Sequence, residues 1–180
     1  RKEIATMADL TGKKIAIIST DRFEDSELTS PKEAVEAAGA TTDVISTESG
    51  EIEGKNGTKV PVSLTTAEAK AEDYDALILP GGTGNADTIR TDDEAVRLVK
   101  EFRDADKPVG VICHGGWILT EADVIKNVKL TSYKSLKTDL SNAGANWVDE
   151  EVVVDGGFIS SRTPEDLPAF NKAIVTEFAK

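Results

Sequence analysis

Hydrophobic and polar positions along this chain follow two rhythms. Short apolar, mostly β-branched runs recur at Ile15, Ala16, Ile17 and Ile18, then at 43–46, 75–79 and 108–112. Such runs have the composition of strands buried on both faces of a parallel sheet. Between them the apolar residues fall at helical spacing. Val96, Val99 and Phe102 share one face of a helix capped by Asp92 or Asp93, with Arg97, Lys100 and Arg103 outside. Ser30-Pro31-Lys32-Glu33 reads as a helix start, with serine as N-cap, proline at the first helical position and glutamate completing a capping box. That helix runs to Ala38 and stops at Gly39. Further helices are predicted over 117–122, around Leu136, Leu140 and Ala143 as far as Gly144, and from Thr163-Pro164 through Leu167, Phe170, Ile174 and Phe178. Late strands are expected at 147–148, 152–154 and 158–160. Between 49 and 64 the rhythm breaks, and Gly50, Gly54, Asn56-Gly57 and Pro61 predict a hairpin excursion that turns at Asn56-Gly57.

Strands alternating with helices predict an α/β fold, a three-layer sandwich around a mostly parallel sheet. In such sheets ligands bind outside the carboxyl ends of the strands. Residues 21–25, Gly81-Gly82 and Cys113-His114 all follow predicted strands and so converge on that edge. The last of these is the most specific. A buried strand, a reactive residue, the pair Gly115-Gly116 and a helix together describe a nucleophile elbow. A lone cysteine is more often a small buried hydrophobe, so the elbow is weighed against that plainer role.

Composition narrows the classes. A chain of 180 residues with 39% hydrophobic and 30% charged residues suits a single globular domain, expected over 13–180. Residues 1–12 are expected to be an N-terminal extension, with those before Met7 an expression remnant or upstream read-through. A net charge of −12 argues against nucleic acid and anionic membrane surfaces as partners. One cysteine cannot form an internal disulfide, which fits a reducing cytoplasm. No apolar run approaches the ~20 residues that span a bilayer. One cysteine and one histidine make no zinc site, and Gly81 and Gly84 lack the spacing of a dinucleotide fingerprint, so no metal and no cofactor are expected.

The chemistry then rests on Cys113. A free thiol with pKa ~8.5 is only a few per cent thiolate at neutral pH. Lowering that value by ~3 units takes about 4 kcal/mol, of which a helix dipole supplies ~1 kcal/mol. Another partner is needed, and Glu24 and His114 are the candidates. A carboxylate would repel a thiolate, so Glu24 helps only if it is protonated and donates a hydrogen bond to the sulfur. The plainer role for Glu24 or Asp25 is to cap the next helix. Backbone N–H groups of Gly81, Gly82 and His114 are candidates for an oxyanion hole. Neighbouring residues do not face each other on a helix, so contact between the His114 ring and the sulfur depends on the elbow's geometry. No histidine follows His114, which excludes a glutamine amidotransferase mechanism needing a distant downstream histidine.

With these residues in view, the chain resembles the PfpI family, the intracellular-peptidase branch of the superfamily that includes the Parkinson-associated protein deglycase. The matching stretches include Phe23-Glu24-Asp25-Ser26-Glu27-Leu28, Leu79-Pro80-Gly81-Gly82, Val111-Ile112-Cys113-His114-Gly115, Thr131-Ser132-Tyr133, Ala143-Gly144-Ala145-Asn146-Trp147 and Ser160-Ser161-Arg162-Thr163-Pro164-Glu165-Asp166-Leu167. The resemblance spans nearly the whole chain from Lys13. It implies a flavodoxin-like, class I glutamine amidotransferase-like fold with Cys113 as nucleophile, His114 as its elbow histidine and Glu24 as the acid on the sulfur. It also implies backbone donors at Gly81, Gly82 and Gly115, and a homo-dimer or higher homo-oligomer in which Asp87 of a neighbouring subunit approaches the histidine. The implied activities are a cytoplasmic stress-response peptidase, or a glyoxalase or deglycase, acting on a small carbonyl, a peptide or a damaged protein. The alternative is a non-catalytic oxidative-stress sensor or chaperone in which Cys113 is reversibly oxidised.

Overall fold

The computed structural model describes residues 8–180, so the expectation for residues 1–6 lies outside them. In chain order the elements are β1 (Lys14–Ile18), α1 (Asp25–Ala37), β2 (Thr41–Ser46), β3 (Glu51–Glu53), β4 (Lys59–Pro61), β5 (Leu64–Thr65), β6 (Ala76–Leu79), α2 (Thr83–Ile89), α3 (Asp93–Asp104), β7 (Val109–Ile112), α4 (Trp117–Ala122), β8 (Lys129–Leu130), α5 (Lys137–Asn142), β9 (Asn146–Trp147), β10 (Val153–Asp155), β11 (Phe158–Ser161) and α6 (Leu167–Phe178). Seven strands form one sheet in the order β10-β11-β7-β6-β1-β2-β5. All its pairings are parallel except β10 with β11. The predicted sandwich is the observed one.

Both faces of the sheet are buried, and successive side chains of a strand serve opposite layers. Ala16 and Ile18 of β1 join Leu77, Val109 and Val111 under α3 and α4. Ile15 and Ile17 join Ile78 and Ile112 under α1 and α6. Gly110 interrupts β7 because α6 lies close there: an added Cβ would meet Ile174 Cγ2 at 2.9 Å. Leu10 is fully buried in the α1/α6 layer, so packing begins before Lys13.

Strand order reverses direction between β1 and β6. From β1 the chain crosses to β2 on one side, whereas from β6 it crosses to β7 on the other. Loops leaving the carboxyl ends of β1 and β6 therefore diverge and leave a crevice, the usual ligand position in such sheets.

The start of α1 departs from the sequence reading. The helix begins at Asp25, five residues before Ser30, and contains Pro31. Ser30 is not its cap; its hydroxyl accepts from Asn171 Nδ2 of α6 at 2.8 Å. The stripe Leu28, Pro31 and Val35 is buried, and proline without an N–H is tolerated within the second turn because burial of that stripe holds the helix. The hairpin expectation is met: β3 pairs with β4 antiparallel, and Gly57 turns at φ 94°.

Candidate active site

Cys113 follows β7 directly and has φ 61°, a left-handed conformation that non-glycine residues adopt at a cost of order 1 kcal/mol or more. A short 3-10 turn over Cys113–Gly116 then leads into α4. Two glycines make this turn possible. A Cβ on Gly115 would lie 2.6 Å from the Leu79 carbonyl oxygen and 2.8 Å from that of Pro80, so β6 passes beneath the elbow. A Cβ on Gly81 would lie 2.2 Å from Glu27 Oε1 and 2.9 Å from Cys113 Cβ. Gly81 is thus the floor between an acid and the thiol.

That acid is Glu27, and this corrects the role given to Glu24. Because α1 starts at Asp25, Glu27 is its third residue and shares the buried stripe with Leu28, Pro31 and Val35. Glu27 is fully buried, and neither carboxyl oxygen has a partner of good hydrogen-bond geometry. The groups that perturb it by hydrogen bonding are the Cys113 side chain and the Gly81 backbone. Burial, and then the charge of Glu24, raise its pKa to about 8. Glu27 therefore keeps its proton at neutral pH. Glu24 instead stands at the rim of the cleft in an ion pair with Lys55.

Burial, and then the negative charge of an ionised Glu27, push the Cys113 thiol up, while the His114 backbone N–H pulls it down. With the proton on Glu27 that residue's repulsion vanishes and its carboxyl O–H becomes a donor to sulfur, which leaves burial and the Glu24 charge opposing the thiolate. The donor chemistry required of Glu24 is thus available from Glu27. The sulfur is not sealed in the core: Cys113 retains 9% exposure and lines a cleft of about 370 Å³ with Glu24, Lys55, His114 and Tyr133.

The left-handed cysteine resolves the neighbour problem at His114. Its Nδ1 lies 3.5 Å from Cys113 Sγ, while Nε2 lies 3.4 Å from Thr83 Oγ1 and 3.3 Å from Ser135 Oγ. The ring stacks on Tyr133 with centroids 4.7 Å apart and meets Trp117 edge-on at 5.4 Å. Burial, and then the Lys55 charge, lower the imidazole pKa, so the ring is neutral at pH 7. With its proton on Nε2 it donates to one of the two hydroxyls and leaves Nδ1 as an acceptor facing the thiol.

Among the glycines expected to donate, Gly82 lines the cleft and has φ 93°. The Gly81 backbone interacts with Glu27, and Gly115 is packed against the two carbonyls beneath the elbow. The His114 N–H is engaged with the sulfur. Asp87 is exposed on α2, one turn beyond Thr83, and makes no bond to His114 within its own chain.

Sequence reasoning missed Glu27, Lys55 and Asn85. Asn85 is buried and ties the crevice together: its Nδ2 donates to the Pro80 and Gly81 carbonyls at 3.2 and 3.1 Å, and its Oδ1 accepts from Thr20 N at 2.8 Å. Glu27 was findable, since the apolar positions 28, 31 and 35 extend backward at helical spacing to 27.

Comparison with known proteins identifies the family and the fold. The profile of the DJ-1/PfpI family matches residues 13–177. An uncharacterized Staphylococcus epidermidis protein is 49% identical over 166 residues, 91% of this chain and 96% of its own. A Bacillus subtilis protein named "Putative cysteine protease YraA" is 46% identical over 161 residues, 89% of this chain and 95% of its own. Among solved structures, a two-domain Anabaena variabilis protein with DJ-1/ThiJ/PfpI-like and ferritin-like domains superposes with a TM-score of 0.88 at 36% identity. The match covers 91% of this chain and 47% of that longer one. A ThiJ/PfpI domain protein of Brachyspira murdochii gives a TM-score of 0.86 at 30% identity, covering 92% and 95%.

Proposed function

Since the chain belongs to the DJ-1/PfpI family, we propose that it is a cysteine-dependent stress-response enzyme, a peptidase or a glyoxalase/deglycase, in which Cys113 attacks an electrophilic carbonyl. The observation that carries this reading is the strained Cys113 at the crevice, flanked by a protonated buried acid and a neutral histidine. Glu27 stabilises the thiolate by keeping its proton and donating a hydrogen bond from its carboxyl O–H to sulfur. His114 accepts the thiol proton at Nδ1 and returns it to the leaving group or the adduct oxygen. The Gly82 N–H is the available backbone donor for the developing oxyanion.

Asp87 completes the site from a neighbouring subunit. Its exposure, one turn from the hydroxyl that meets His114 Nε2, supports this role in a homo-oligomer. The cytoplasm is the proposed compartment, consistent with a free thiol. No helix among the described residues is long and apolar enough to cross a membrane.

The test is turnover of methylglyoxal, a glycated peptide and casein by wild type and Cys113→Ala. Turnover lost in the variant supports the enzyme, and wild-type turnover in Cys113→Ala refutes it. One observation favours a second reading. The buried, protonated Glu27 carboxyl beside Cys113 would donate to a sulfinate oxygen as it does to a thiolate, which suits a sensor or chaperone switched by Cys113 oxidation. Mass spectrometry of peroxide-treated protein separates the two: a sensor stops at sulfinate and shows no turnover that depends on Cys113.

A further inference from the structure

The β3–β4 hairpin leaves the main sheet, yet five hydrogen bonds pin it, three to the loop after β1 and two to Asp25 at the start of α1. Arg22 N donates to the Glu53 carbonyl at 2.7 Å, Glu53 N to Asp21 Oδ1 at 2.8 Å and Lys55 N to the Phe23 carbonyl at 2.9 Å. Asn56 N and Thr58 N donate to the two oxygens of Asp25, both at 2.9 Å. Gly54 admits no side chain, because a Cβ would sit 2.6 Å from the Asp25 carboxyl. This latch fixes the backbone of Lys55 and brings its side chain over the cleft that contains Cys113.

Lys55 is the only cation lining that cleft among the described residues. Its ammonium has three donors. Glu24 is its one ion-pair partner among the described residues, and 52% of the Lys55 side chain remains exposed. Its charge acts on Glu27, Cys113 and His114. With Glu27 protonated, the remaining fixed anion at the rim is Glu24. A carboxylate entering the cleft competes with Glu24 for the open donors.

We propose that Lys55 makes this cleft selective for small carbonyl compounds that carry a carboxylate beside the reacting carbon. The inference rests on Cys113 as the attacking group. The thiolate adds to the carbonyl carbon, a C–S bond forms as the C=O π pair moves to oxygen, and that oxygen takes back the proton that His114 Nδ1 accepted from the thiol. Lys55 holds the carboxylate while this happens, with Glu24 as the counter-ion it leaves.

The test alkylates Cys113, the chain's only cysteine, with iodoacetate and iodoacetamide, reagents of similar size that differ by one charge. Thiolate fraction affects both rates alike, so their ratio reports attraction for the anion. The iodoacetate/iodoacetamide ratio of wild type should exceed that of Lys55→Gln by about fivefold, the equivalent of about 1 kcal/mol for one charge pair near 4 Å in a water-like dielectric. Lys55→Arg should keep the wild-type ratio, and Glu24→Gln, lacking the competing carboxylate, should raise it. Glyoxylate should protect wild-type Cys113 from iodoacetamide at lower concentration than uncharged glyoxal, and lose that advantage in Lys55→Gln. A ratio unchanged by Lys55→Gln, or lost equally in Lys55→Arg, overturns the proposal. None of these measurements needs turnover, so failure of the enzyme reading and failure of this one appear in different experiments.

Discussion

Replacing Glu27 by glutamine tests the central electrostatic claim through stability rather than activity. Burial raises the Glu27 pKa from 4.5 to about 8. Between those values the folded protein holds a proton that the unfolded chain releases, so stability falls as pH rises, by about 1.4 kcal/mol per pH unit. From pH 5 to pH 7.5 that amounts to roughly 3 kcal/mol, a large share of the 5–15 kcal/mol typical of a domain. Glutamine has the same shape and no titration, so Glu27→Gln removes this dependence. The comparison is best made in a Cys113→Ser background, where no thiol titrates and burial, the leading cause of the shift, persists. Urea unfolding at pH 5, 6, 7 and 7.5 gives the difference between the two proteins. It should change steadily in favour of the glutamine variant as pH rises. Parallel stability curves would mean that Glu27 is already ionised at pH 5. It would then repel a thiolate rather than donate to it, and the mechanism would lose its acid.

Gly81→Ala should abolish thiol reactivity and destabilise the fold by roughly 1–3 kcal/mol, because its Cβ would overlap Glu27 and Cys113; alkylation rates and urea unfolding measure both. Asp25→Ala should cost about 1–3 kcal/mol by orphaning the Asn56 and Thr58 amides, and hydrogen exchange should speed at those two positions first. If Asp87 acts across subunits, light scattering should show at least a dimer at micromolar concentration, and Asp87→Asn should lower turnover without changing the Glu27-dependent stability curve. A fully active monomer would remove Asp87 from the site.

The sequence by itself determined the layers, because burial on both faces demands continuous apolar strands such as Ile15, Ala16, Ile17 and Ile18, and one-sided burial demands helical spacing. It also determined the elbow, since a buried strand running into Cys113 and followed by Gly115-Gly116 is a local pattern, although the carbonyls that require glycine at 115 come from Leu79 and Pro80. It could not assign the acid. Three acidic residues, Glu24, Asp25 and Glu27, stand within four positions of one another, and the helix phase sends each to a different place. Glu24 meets Lys55 at the cleft rim, Asp25 latches the hairpin, and Glu27 enters the core beneath Cys113. That phase is set by where α1 begins, and local signals at Ser30-Pro31 favoured a later start. Only the packing of Leu28, Pro31 and Val35 against the sheet decided it. Lys55 was illegible for a related reason. An Asn-Gly turn announces a hairpin, but nothing local says which strand-end loop the hairpin will lie against. Contacts across some thirty residues, from Asp21 to Glu53 and from Asp25 to Thr58, place that charge above the thiol, and contacts of that range exist only once the chain has folded.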